Sequence, residues 1–226
     1  MSYLQQEYEE VVLEVINEYL DKNRVFNTEK IIPYINSRLR QKAINLNDNG
    51  IKNILERLAR KKLIVEGSTL KKGEILLNDK RRKIYDYVQQ KPAVYYNKIR
   101  KTLGFPHNVV VWHLEILEQF EYIQSETFEG VEVYFDSRET FERIKYNYFF
   151  INSKSQQIIA HLEKNDSGSS KSQLASALNI HPQTVSKYLK LLVKYNIAEK
   201  EEFSRNTLYF LTPEYYEFTP TIKAQK

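Results

Sequence analysis

The chain has 226 residues, no cysteine and one methionine at position 1, with Lys+Arg 34 against Asp+Glu 29 for a formal charge of +5. Without cysteine there is no disulfide, thiolate nucleophile, iron–sulfur cluster or thiolate zinc site. No apolar run approaches the ~20 residues that cross a bilayer, and the start MSYLQQEYEEVV lacks the basic and apolar regions of an export signal, so a cytoplasmic protein is expected.

Charge is banded along the chain. Residues 38–83 carry fourteen Lys and Arg against five acids, a net of +9, whereas residues 1–37 are net −4. Residues 102–137 hold seven acids and no Lys or Arg. A basic band attracts phosphates over about a Debye length and an acidic one repels them, so these bands should not face one polyanion.

One pattern occurs three times, at a spacing of roughly 70 residues. It consists of an amphipathic helix, a short helix, a turn, a third helix with an apolar stripe, and two β-rich runs around a polar tip. The first copy reads EYEEVVLEVINEYLDKN, TEKIIPYINSRLRQK, a loop ending at Asp48, Asn49 and Gly50, IKNILERLARKKL, and IVEGSTLKKGEILLN. Its expected wing tip spans Ser68 to Gly73. The second copy reads RKIYDYVQQKP, YYNKIRKTLG, PHNVVVWHLEILEQFE and YIQSETFEGVEVYFDS, with Gly130 at the hairpin tip. Trp112 and His113 are expected on the hydrophobic side of its third helix and the edge of that side. A linker, RETFERIKYNYFFIN, is apolar on more than one face and wants two surfaces to bury against. The third copy has a helix over 155–165, a short helix over 171–179, and a third helix over 181–196 with Val185, Leu189, Leu192 and Val193 as its stripe. Pro182 takes the favoured first helical position and His181 the cap. Two strands follow around Ser204, Arg205 and Asn206. The expected fold class is mainly α with small β wings (α+β), with domains at 1–78, 79–137 and 154–226 and a linker helix at 138–153.

The strings QLASALNIHPQTVSKYLKLL and NKIRKTLGFPHNVVVWHLEIL resemble the helix-turn-helix cores of archaeal and bacterial winged helix-turn-helix transcription regulators of the broad ArsR/MarR type. The resemblance rests on Val110, Leu114 and Leu117, and on Val185, Leu189 and Leu192. The whole chain, with RRKIYDYV joining copies one and two and NTLYFLTPEYYEF near its end, resembles multi-winged-helix proteins of archaea. This implies three tandem winged helix-turn-helix domains, with the start of the third helix entering the major groove and the wing touching phosphate.

In copy three those positions are Gln183, Thr184, Ser186, Lys187, Lys190 and Lys194, with Arg205 on the wing. The amide and hydroxyls can bond base edges, and the cations can meet phosphates. The competing reading is a solvated helix face. In copy one Arg57, Arg60, Lys61, Lys71 and Lys72 form a basic surface suited to phosphates. Its competing reading, basic residues complementing a helix dipole, covers Arg60 and Lys61 but not the wing pair. Copy two carries Glu115 and Glu118 on its third helix and Glu126, Glu129, Glu132 and Asp136 on its ribbon, which opposes a phosphate backbone and suits a spacer, a homodimer surface or a dock for a basic protein.

No catalytic apparatus is legible. The glycines at 50, 67, 73, 104, 130 and 168 stand singly at turns, and no Ser sits in a nucleophile elbow. His107, His113, His161 and His181 form no ligand pair, so neither enzyme activity nor a cofactor or metal is expected. The sequence therefore points to a double-stranded-DNA-binding transcription regulator. The rival is a tandem winged-helix protein–protein adaptor without direct DNA reading, and RNA binding through the basic block is a third reading.

Overall fold

The computed structural model describes residues 3–22, 24–203 and 206–217. Its content is mostly helical with two small antiparallel sheets, an α+β composition. Two compact units form: residues 1–89 with 97–125, and residues 90–96 with 126–226.

In the first unit, α1 (Tyr3–Leu20), α2 (Thr28–Gln41) and α3 (Asp48–Arg60) share one core. Val12, Val15 and Ile16 of α1 meet Ile31, Ile35 and Leu39 of α2 and Ile51, Leu55 and Leu58 of α3, all almost fully buried. Their spacing of three and four residues puts each set on one helix face, and each such side chain contributes about 1.5–3 kcal/mol on burial. Asn27 and Asn47 cap α2 and α3 by accepting from the Lys30 and Gly50 amides at 2.9 and 2.8 Å. The same unit holds α4 (Asp79–Gln90), α5 (Tyr96–Leu103) and α6 (His107–Gln119), which bury Ile84 and Val88, Ile99, and Val110, Leu114 and Leu117.

The ribbon expected over IVEGSTLKKGEILLN is not formed. No strand lies there; instead Lys72–Leu77 make a 3-10 turn. The reason lies in the partners of the backbone. Gly67 N donates to Phe26 O at 3.0 Å and Phe26 N to Ser68 O at 2.8 Å, so the outgoing run pairs with the chain entering α2 rather than with its own return. Glu66 reinforces this by accepting from Thr28 N, Thr28 Oγ1 and Asn27 Nδ2. The return run turns inward to bury Ile75, and its Ile75 and Leu76 carbonyls accept from Arg81 Nη1 and Arg82 Nε.

β1 (Val94–Tyr95) and β3 (Val131–Asp136), both in the second unit, pair antiparallel, Val94 opposite Tyr134, in a sheet of order β1-β3-β2 with β2 at Ile123–Phe128. The following repeat places β4 (Ser169–Ser170) against β6 (Asn206–Leu211), Ser169 opposite Tyr209, in the matching order β4-β6-β5 with β5 at Ala198–Phe203. The two copies thus share helix, strand, helix, helix, strand, strand. Gly168, at φ +75°, opens the second sheet; a Cβ there would come 2.5 Å from Phe210 Cζ, so only glycine fits.

The linker helix is α7 (Phe141–Ile151), and it buries two faces as its pattern demands. Tyr146 and Phe149 enter the core made with α8 (Ser153–Leu162), α9 (Lys171–Leu178) and α10 (Pro182–Lys194), while Ile144 joins Phe128, Val133 and Phe135.

Candidate nucleic-acid interface

The α9–α10 corner is fixed by local chemistry. Ser170 caps α9 in a reciprocal box with Gln173, and Asn179 ends the helix in the left-handed region at φ +50°. Ile180 then tucks in, nearly buried, and His181 caps α10 by accepting from Gln183 N at 3.3 Å, with Pro182 as the first helical residue. Burial of Val185, Leu189 and Leu192 leaves the other face to solvent. Gln183, Lys187, Lys190 and Lys194 are exposed and Thr184 and Ser186 half-buried. Among the described residues no carboxylate lies within 4 Å of Lys187 or Lys190.

Lys194 has a partner. Glu129, at the tip of the β2–β3 hairpin, accepts from Lys194 Nζ at 2.5 Å and from the Tyr195 hydroxyl at 3.1 Å. Hydrogen bonding to Lys194, then to Tyr195, holds the Glu129 carboxyl below its ordinary pKa, and Glu129 raises that of Lys194. Phe128, beside it, is fully buried against Phe141, Tyr148 and Tyr195. The hairpin tip is therefore anchored on the end of α10. On the β5–β6 ribbon, Lys200 pairs with Glu202 at 2.8 Å, and Phe203 at the tip is half exposed. Arg205 lies outside the described residues.

The basic surface of α3 divides into spent and free cations. Arg57 and Lys61 both grip Glu9 of α1, each at 2.5 Å, and Glu9 is only 6% exposed. The Lys61 hydrogen bond is the main cause of a Glu9 pKa below the usual carboxylate range. Lys71 pairs with Asp21 and, at 3.6 Å, with Glu74; Lys72 Nζ donates to Lys61 O at 3.0 Å. Arg60 is exposed. When the buried stripes of α3 and α10 are matched, Ile51 on Val185 and Leu55 on Leu189, the places of Gln183, Thr184, Ser186, Lys187 and Lys190 fall to Asn49, Gly50, Lys52, Asn53 and Glu56. Asn49, Lys52 and Asn53 are exposed and were not among the residues expected from charge alone; register against the stripe finds them. Arg40 and Asn49 also line a polar hollow of about 460 Å³ at the α2–α3 turn.

The same register on α6 gives Asn108, Val109, Val111, Trp112 and Glu115, a face without a cation. His113 is buried as expected, and Trp112 stands at the edge of that side, 52% exposed. Among the described residues no helix is long and apolar enough to cross a membrane, and no group of three metal-ligating side chains forms.

No protein-family model matches the chain. It is 28% identical over 149 residues, 66% of its own length, to an uncharacterized HTH-type transcriptional regulator of Methanocaldococcus jannaschii, and spans 37% of that protein. A chain from the structure of the ESCRT-II endosomal trafficking complex aligns over 92% of this chain and 90% of its own at 11% identity, with a TM-score of 0.23, too low to speak to fold or function.

Proposed function

We propose that the chain is a cytoplasmic, non-catalytic transcription regulator that binds double-stranded DNA through tandem helix-turn-helix units of the winged type, two of them carrying a β ribbon. In this reading 1–78, 79–137 and 154–226 are the domains. The observation that carries it is α10: a capped third helix presenting Gln183, Thr184, Ser186, Lys187 and Lys190 away from the core, with no carboxylate of the described residues within 4 Å of either lysine. The amide and hydroxyls suit base edges and the lysines suit phosphates. Arg60 with Asn49, Lys52 and Asn53 of α3 forms the second contact; Arg57, Lys61, Lys71, Lys72 and Lys194 contribute field from fixed positions. The name of the archaeal relative agrees with this reading.

Fluorescence anisotropy against a random ~30-base-pair duplex over a salt series tests it. Five or more neutralised phosphates would give a log–log slope near −4.5, and Lys187→Ala with Lys190→Ala should flatten it by about 1.8. No binding at low salt would refute the reading. The exposed Glu126 and Glu132 of the acidic hairpin favour the adaptor as the second reading. Charge reversal at those two residues would then abolish capture of a basic partner while leaving DNA affinity intact.

A further inference from the structure

α4 and α6 enclose something DNA reading does not use. A hollow of about 410 Å³ is lined by Asn78, Asp79, Lys80, Val109, Trp112 and His113. One wall is the first turn of α4, where Asn78 Oδ1 accepts from the Arg81 amide at 3.1 Å. The start of this twelve-residue helix carries the positive end of its dipole, with the exposed Lys80 ammonium beside it. The other wall is α6, where Trp112, the chain's one tryptophan, stands half exposed.

Two buried nitrogens back the indole. Arg81 is 3% exposed, holds its guanidinium 5.5 Å from the Trp112 ring centroid, and has an Nε without a partner. His113 is 2% exposed, its ring 4.7 Å from that of Trp112, and its Nδ1 has no partner either. Buried polar atoms are normally paired, so these two orphans, Arg81 on α4 and His113 on α6, call for a reason, and of the two it is His113 that lines the hollow. Packing does not supply it: the place of His113 is filled by Ile54 on α3 and Tyr188 on α10, and that of Trp112 by Asn53 and Lys187. Burial and the nearby Arg81 and Lys80 charges depress the His113 pKa to about 4, so at neutral pH the imidazole is uncharged and acts as a hydrogen-bonding group.

We propose that this hollow binds a small planar aromatic anion, with its ring on Trp112 and Val109, its carboxylate or phosphate at Lys80 and the first turn of α4, and an acceptor facing His113. Asp79 supplies the opposing negative charge on the same turn, which limits the ligand to one anionic group and disfavours polyphosphates. The site stands independently of whether the chain binds DNA.

Because there is a single tryptophan, its emission in the full chain reports on the hollow. Benzoate and phenyl phosphate are the probes, with benzyl alcohol as a neutral ring and acetate as a ringless anion. A midpoint of about 1 mM needs about 4 kcal/mol, roughly 0.5 kcal/mol for each heavy atom of benzoate and well under the ceiling for small ligands. Benzoate or phenyl phosphate should change the emission saturably, with a midpoint at least fivefold lower than for benzyl alcohol or acetate. Lys80→Ala, an exposed change that spares the fold, should raise that midpoint at least fivefold. His113→Ile, which installs the residue copy one has at this place, should raise it as well. Non-saturable quenching, a midpoint unmoved by Lys80→Ala, or acetate matching benzoate would overturn the proposal.

Discussion

Replacing Phe128 by alanine tests how the hairpin tip is held on the end of α10. The ring is 1% exposed and contacts three others: Tyr148 at 5.0 Å and Phe141 at 5.7 Å, each tilted by 17°, and Tyr195 at 5.7 Å and 51°. Phe→Ala at a fully buried site costs about 3–5 kcal/mol, and aromatic pairs add about 0.5–1.5 kcal/mol each beyond burial, which places this site in the upper part of that range. With a urea slope of about 2 kcal/mol/M, a loss of about 4 kcal/mol moves the midpoint down by about 2 M. Phe141→Ala is the control: that ring is 52% exposed, and its removal should move the midpoint by less than about 0.5 M, since exposed substitutions stay near ±0.5 kcal/mol apart from the one ring contact. The assay is urea unfolding of the full chain followed by circular dichroism. A Phe128→Ala shift no larger than that of Phe141→Ala would show that the ring fills no core and that the anchoring argument is wrong.

Glu129→Gln removes the carboxylate that holds Lys194 and adds to the negative field at Lys187, so duplex affinity at low salt should rise several-fold and the salt slope should steepen; an unchanged anisotropy curve would show that the hairpin does not compete with phosphate. The pKa of His113 is depressed from its ordinary 6.5 to about 4, so the unfolded chain takes up a proton that the folded one does not, and stability present above pH 6.5 is lost progressively as pH falls towards 4. The loss is on the order of 2–3 kcal/mol, and His113→Leu should flatten this limb in denaturant titrations between pH 7 and pH 4.5. The Glu9 pKa is lowered in the fold, so its contribution is present above the ordinary carboxylate value and disappears as pH falls through the folded one. Glu9→Gln should lower the unfolding midpoint at pH 7 and narrow the gap to wild type at pH 3, which paired urea titrations would measure.

Local chemistry was legible where it was sufficient. The stripe Val185, Leu189, Leu192 dictates which face of α10 is wet, and Pro182 with His181 dictates where the helix begins; both hold in the structure. The linker pattern, apolar on more than one face, correctly called for two packing surfaces. What failed depends on distant partners. The run IVEGSTLKKGEILLN has the composition of a hairpin, yet its backbone is claimed by Phe26, some forty residues upstream. Arg57 and Lys61 read as free cations because Glu9, which they hold, lies on another helix, and an ion pair between helices leaves no local signal. Trp112 and His113 are expected together on the hydrophobic side of α6 and its edge; only the register of the stripe separates them and puts Trp112 on the face that α10 gives to Lys187.

The pairing of β1 with β3 has a consequence for how the chain is made. Val94 waits for Tyr134, forty residues further along, so a ribosome working at about 5–20 residues per second delivers the partner roughly 2–8 s later. Residues 90–96 leave the exit tunnel ahead of the α5–α6 segment, which belongs to the other unit, and must stay unpaired while that segment is completed. No single cut in the chain separates the two units. A truncation at 137 strands β1 and β3 away from the later residues of their own unit, so a fragment ending there would carry its sheet without that support.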